Sequence, residues 1–182
     1  MPIKTQLRAI NSIKDIPAKY LGTSIEKLFE YQNFSEDFRK YENPELIVVM
    51  CMDNRKQLRI PNKFSYIIRT PGARILGFEF ALSFPIAMAD IKHVAVIAHT
   101  NCGMVNLVDK KNQVVNGLVK TAGWTHAEAD NHFHSCAPLY SIENETTFVY
   151  EESLRLKVKY PNINFVPMLY KVEDHRLYLI EE

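Results

Sequence analysis

Four short apolar runs punctuate the chain, and their lengths and residue types predict buried strands. Residues 46–51, LIVVMC, are uninterrupted and rich in β-branched side chains, the pattern of a strand covered on both faces. Residues 64–68 (FSYII) and 93–99 (HVAVIAH) give a second and a third, and 163–170 (INFVPMLY) a fourth. The stretch KVEDHRLYLI then reads as a turn and an alternating edge strand. Residues 75–89, ILGFEFALSFPIAMA, are too long and too apolar for a strand and predict a buried helix, broken or restarted near Pro85. The first forty residues read as helical: Thr23 and Glu26 have capping-box spacing, and Ile25, Leu28 and Phe29 follow near helical period. Beyond Cys102 the chain is more polar, with helices predicted at 112–121, 126–136 and 143–159 and a second capping-box spacing at Thr125 and Glu128. Thr70-Pro71-Gly72 ends the second strand, with Pro and Gly suited to the centre of a type II turn. Strands alternating with helices predict an α/β fold. Its central sheet is mostly parallel and flanked by helices, with an antiparallel C-terminal edge strand.

Length and charge narrow this picture. The 182 residues fit one domain over 1–182, with a helical arm at 1–40 and a helical insertion at 110–140. Lys plus Arg number 22 against 21 for Asp plus Glu, with no basic run. That balance argues against nucleic-acid binding through phosphates and against attraction to anionic membranes. No apolar run is long enough to cross a bilayer, and the N-terminus lacks a signal peptide's apolar stretch, so a cytoplasmic location is expected. Three cysteines are an odd number and argue against a disulfide framework. The thiols are therefore packed, reactive or metal-bound.

Ligands of parallel sheets gather outside the carboxyl ends of the strands. Cys51 ends the first strand, with Asp53 and Arg55 just past it, while His99 ends the third and Cys102 sits in the following turn. Two strands thus bring Cys51, His99 and Cys102 to one edge. These donors suit Zn²⁺, and three protein ligands leave a fourth position open, as in catalytic sites. Taken singly, a strand-end Cys packs as a small hydrophobe and a lone His hydrogen-bonds in place. The agreement of two strand ends in position and chemistry favours the metal. Cys136 shares a helical face with Ala129, Phe133 and Ala137, which assigns it to packing; nothing completes a second metal set with His132. Trp124 and the nearby histidines are a candidate cap for the site's mouth. No Cys-x5-Arg phosphatase loop, Cys-x-x-Cys pair or P-loop is present.

Cys51-Met-Asp53-Asn-Arg55 followed by His99-Thr-Asn-Cys102-Gly103 resembles the paired C-x-D-x-R and H-x-x-C-G signatures of the β-class carbonic anhydrases. The 48 positions from Cys51 to His99 are close to that family's spacing, the likeness runs from about Leu46 to Ile180, and the length suggests the short bacterial branch. Ile68-Arg69-Thr70-Pro71-Gly72 falls where the family usually has Arg-Asn-Ala-Gly; Gly72 is retained and Thr70-Pro71 replace Asn-Ala. The resemblance implies a β-carbonic anhydrase-like fold and one Zn²⁺ per chain on Cys51, His99 and Cys102. It implies a catalytic dyad of Asp53 and Arg55, in which the Asp either pairs with the Arg or closes the site as a fourth zinc ligand. A substrate pocket would involve Thr70, Gly72 and Gly103. The implied reaction is reversible hydration of carbon dioxide to bicarbonate by zinc-bound hydroxide, rising toward alkaline pH because two thiolates blunt the metal's acidity. The implied assembly is a homodimer or higher homo-oligomer, with N-terminal helices reaching over a partner and the apolar helix around Phe78–Met88 buried or at an interface. Two alternatives share the ligands: a zinc hydrolase of carbonyl sulfide or carbon disulfide, and a catalytically silent zinc-binding homologue.

Overall fold

The computed structural model describes residues 4–182. Its strands are β1 (Gln6–Ala9), β2 (Leu46–Cys51), β3 (Ser65–Thr70), β4 (His93–His99), β5 (Asn164–Lys171) and β6 (Arg176–Glu181). They form one sheet in the order β1-β6-β5-β4-β2-β3. The β3, β2, β4 and β5 strands are parallel, and β6 and β1 are antiparallel additions at one side. The helices are α1 (Ser24–Asn33), α2 (Glu79–Ala89), α3 (Lys111–Gly117), α4 (His126–Tyr140) and α5 (Glu145–Lys159).

Strand alternation sorts the sheet's side chains into two cores. Leu46, Val48 and Met50 of β2 meet Ile25, Leu28 and Phe29 of α1 on one face, and Ile47 and Val49 meet Val149 and Leu156 of α5 on the other. Both faces being covered explains why β2 and β4 read as continuous apolar runs. Helices α3 and α4 lie outside both cores. They pack Leu107, Val115, Ala129 and Phe133 into a small lobe of their own, closed at its base where Val105 bridges to Ile142.

Several expectations are corrected. The first forty residues are not a helical arm: they hold β1, two single turns at Ile13–Asp15 and Ala18–Tyr20, and only then α1. Pro17 and Gly22 interrupt any longer helix, and the mostly exposed β1 is only four residues long, too short for its alternation to stand out. Because β1 pairs with β6, the C-terminal strand is antiparallel but is not the edge. Helix α2 runs through Pro85 unbroken; the Ala81 carbonyl that Pro85 cannot bond belongs to an exposed residue, where water can take its place. Nor is α2 buried in this chain. Only Leu82 and Pro85 are covered, while Phe80 is 78% exposed and Met88 70%. Cys136 is half-buried at the margin of α4's packed stripe, its Sγ 3.7 Å from His132 Nδ1, rather than in the core. The turn after β3 closes one residue later than a type II turn at Pro71-Gly72, with the Arg74 N–H donating to the Pro71 carbonyl (3.2 Å). Gly72 and Ala73 both take φ of +65°, the left-handed region that glycine adopts freely and alanine at a cost.

Candidate metal centre

From β2 the chain moves outward to β3, then crosses back over to β4 on β2's other side. The crevice at the carboxyl ends of β2 and β4 is therefore a topological switch point, where open α/β sheets place ligands. Strand register, with Met50 opposite Ile97, brings the carboxyl ends of β2 and β4 out at this same edge.

Cys51, His99 and Cys102 converge in this crevice. All three are buried, with 3%, 1% and 5% of their surface exposed, and their candidate ligand atoms lie within 4.8 Å of one another. The two Sγ atoms are 3.9 Å apart. The His99 Nδ1–H donates to the Thr100 carbonyl at 2.9 Å, which leaves Nε2 as the lone-pair nitrogen; Nε2 is buried and has no partner among the described residues. The shared hydrogen bond with Cys102 pulls the Cys51 thiol down, and the same contact pushes Cys102 up. Deprotonating one sulfur therefore makes a second thiolate beside it unfavourable unless a cation joins them.

This set fits zinc. Two thiolates about 2.3 Å from a tetrahedral ion sit roughly 3.8 Å apart, close to the sulfur separation found here. The orphaned His99 Nε2 is a buried acceptor lacking the electrophile that would satisfy it.

Asp53 and Arg55 flank the cluster. Arg55 Nε donates to Asp53 Oδ1 at 3.0 Å, Nη2 to Oδ2 at 2.7 Å, and the Arg55 backbone N–H to Oδ1 at 2.9 Å. This two-pronged guanidinium contact holds the Asp53 carboxyl well below the usual carboxylate range. Asp53 Oδ2 also lies 3.9 Å from His99 Nε2, so the carboxylate faces the place where the three ligands converge. Thr70, paired in register with Cys51, is buried with its hydroxyl unpartnered. A Cβ on Gly72 would sit 3.5 Å from Met104, two residues past Cys102. Gly103 is exposed, its carbonyl held by Lys110 Nζ.

Four further side chains complete the surroundings; of these only Arg69 lies in a segment that the sequence motifs marked. Lys56 is wholly buried and donates to the Cys51 carbonyl at 3.1 Å; burial pushes it down to about 8. Arg69 donates to the same carbonyl at 3.2 Å. Glu145, at the start of α5, accepts the Cys102 N–H at 3.2 Å. Glu173, in the β5–β6 turn, accepts from Thr100 and Asn101. Lys56 follows the dyad directly in a polar stretch that gives no sign of its burial; the two glutamates arrive from distant sequence and leave no local signal. The candidate cap residue Trp124 packs edge-on against His132, within the α3–α4 lobe.

No family model matches the chain. A carbonic anhydrase of Synechococcus elongatus is 26% identical over an alignment of 111 residues, covering 54% of this chain and 41% of that protein. The match thus spans about two fifths of the curated relative's length. Among solved structures, a β-carbonic anhydrase from Trichomonas vaginalis is similar with a TM-score of 0.64 and 16% identity, over 89% of this chain and 96% of that one. A carbon disulfide hydrolase, in its apo form, has a TM-score of 0.53 and 18% identity, over 88% and 90%. The chain is thus similar in sequence to a carbonic anhydrase and shares its fold with solved β-carbonic anhydrases.

Proposed function

We propose that the protein is a zinc enzyme that reversibly hydrates carbon dioxide to bicarbonate. The observation that carries this reading is the convergence of Cys51 Sγ, Cys102 Sγ and the unpartnered His99 Nε2 beside an Arg55-clamped Asp53. Cys51, His99 and Cys102 would hold the ion. The chemistry zinc supplies in a site of this kind is Lewis acidity, which acidifies water enough to give a hydroxide nucleophile near neutral pH.

The chain's own groups do the rest. Asp53, kept ionised by Arg55, is an acceptor only, so it takes a hydrogen bond from the reacting water and aims that oxygen's lone pair. Arg55 fixes the carboxylate's rotamer and stops it from turning freely toward the ligands. Thr70 Oγ1, buried without a partner at the end of β3, is available to a substrate oxygen. Gly72 supports the same wall through its φ of +65°, a backbone conformation that glycine adopts freely.

Phe80, Phe84 and Met88 of α2 and Ile67 of β3 stand exposed, and the outer edge of β3 is unpaired among the described residues. We read this face as the surface of a homo-oligomer.

The reading is tested by preparing Cys51→Ala, His99→Ala and Cys102→Ala and measuring zinc content alongside turnover of carbon dioxide and carbon disulfide. One zinc in the wild type, lost in each variant together with carbon dioxide turnover, is the expected result. Zinc-dependent turnover of carbon disulfide alone would overturn the substrate in favour of the sulfur analogues. Bound zinc with no turnover of either would leave a silent scaffold.

A further inference from the structure

Only Thr100 and Asn101 separate His99 from Cys102. Asn101 takes the left-handed conformation, φ +57°. Its carbonyl accepts from Arg55 Nη2 at 2.8 Å, and that same nitrogen donates to Asp53 Oδ2. The position of one loop carbonyl therefore sets where the guanidinium sits, and through it the carboxylate.

What fixes this loop comes from the far end of the chain. Glu173 spends both carboxylate oxygens on it: Oε2 accepts from Thr100 Oγ1 at 2.7 Å and Oε1 from Asn101 Nδ2 at 2.9 Å. Thr100 Oγ1 in turn accepts the Val172 N–H at 3.0 Å, and the Thr100 N–H donates to the Tyr170 carbonyl at 3.1 Å. Glu173 is exposed and makes no salt bridge among the described residues. A surface glutamate bonded to two neutral donors of one two-residue loop is not explained by solubility. Nor does Glu173 touch a ligand atom or the dyad, so any influence on the site passes through the loop.

We propose that Glu173 is a positioning residue for the site: it clamps Thr100 and Asn101 so that His99 and Cys102 keep their spacing and the Asn101 carbonyl holds Arg55 against Asp53. The metal part of this inference rests on the zinc reading above; the Arg55 part does not. Groups that orient ligands from behind commonly change metal affinity about 10- to 100-fold when removed. A free loop would also let Asn101 leave the left-handed region, which its side-chain hydrogen bond helps to stabilise.

The test uses the full chain as wild type, Glu173→Ala, Glu173→Gln and Thr100→Val. Zinc affinity is measured by chelator competition, and the Arg55 Nε–H resonance is followed by ¹⁵N NMR in the metal-free and zinc-loaded forms. Glu173→Ala is expected to weaken zinc about tenfold or more and to shift the Arg55 signal toward that of a free arginine. Glu173→Gln can accept from Asn101 and donate to Thr100, so it should recover most of both signals. Thr100→Val removes one arm and should give a smaller change of the same sign. A Glu173→Ala protein with zinc affinity within about twofold of wild type and an unmoved Arg55 resonance would overturn the proposal, even with a lower melting temperature. If the wild type proves inert toward carbon dioxide, the functional reading fails on its own, while the Arg55 resonance still decides the role of Glu173.

Discussion

Glu152 offers a quantitative test of how the turn beside the candidate site is held. Its side chain is buried within α5, 4% exposed, and Oε1 accepts the N–H of Ile75 at 2.9 Å. Ile75 is itself fully buried, just past the Thr70–Arg74 turn, and its N–H has no other acceptor among the described residues. Arg155 closes the arrangement, with Nε to Oε2 at 2.8 Å and Nη2 to Oε1 at 2.9 Å. Glu152→Ala orphans a buried N–H, removes its charged acceptor and leaves a void. The orphaned group and lost charge-assisted bond cost roughly 1.5–3 kcal/mol, and imperfect collapse adds about 1. Glu152→Gln keeps the carbonyl oxygen for Ile75 and turns its amide toward Arg155, which is 38% exposed and can take water instead. Its cost should be about 1 kcal/mol. At roughly 2–4 °C per kcal/mol for a chain of this size, the alanine variant should melt about 5–16 °C below wild type and the glutamine variant about 2–4 °C below. Thermal unfolding by circular dichroism, checked by urea titration, reads both. Equal losses in the two variants would refute the assignment of Ile75's N–H as the group at stake.

Two further predictions concern the dyad and the sheet. Asp53→Asn should keep one zinc per chain, because no ligand changes, yet turn an amide N–H toward Arg55 Nη2. Losing the charge-assisted clamp on the reacting side chain should lower kcat/KM several-fold; undiminished turnover would remove Asp53 from the mechanism. Burial holds the His93 imidazole below its ordinary value, so as pH falls the unfolded chain takes up the proton first. Stability should therefore decline from about pH 6.5 down through the folded value and be flat above it, and His93→Gln should lack that decline. Parallel urea-midpoint profiles for the two proteins between pH 5 and 7.5 would contradict this.

The parts of the fold that were legible are those where burial is local and continuous. β2 and β4 lie at the residues their apolar runs marked, because a strand covered on both faces has no polar position to blur its ends. The Thr125–Glu128 capping box is also present, a local device that needs no tertiary context. β1 was illegible because an exposed four-residue edge strand is defined by its pairing with β6 and by little in its own side chains. The exposure of α2 was illegible because apolar content states that a face will be covered but not by what. In the site, Cys51, His99, Cys102, Asp53 and Arg55 were legible because spacing alone puts them at two strand ends. Glu145 and Glu173 join them through contacts between segments that no spacing links, and Lys56, though only five residues past Cys51, belongs to no motif that marks it.

The central claim is that the Cys51–His99–Cys102 centre, with its Asp53–Arg55 dyad, hydrates carbon dioxide. Stopped-flow hydration by the zinc-replete protein, run from neutral to alkaline pH with Cys51→Ala as the blank, tests it most directly. Zinc-dependent turnover that rises toward alkaline pH and is absent from the blank is the expected result. One zinc bound per chain with no turnover at any pH would contradict it.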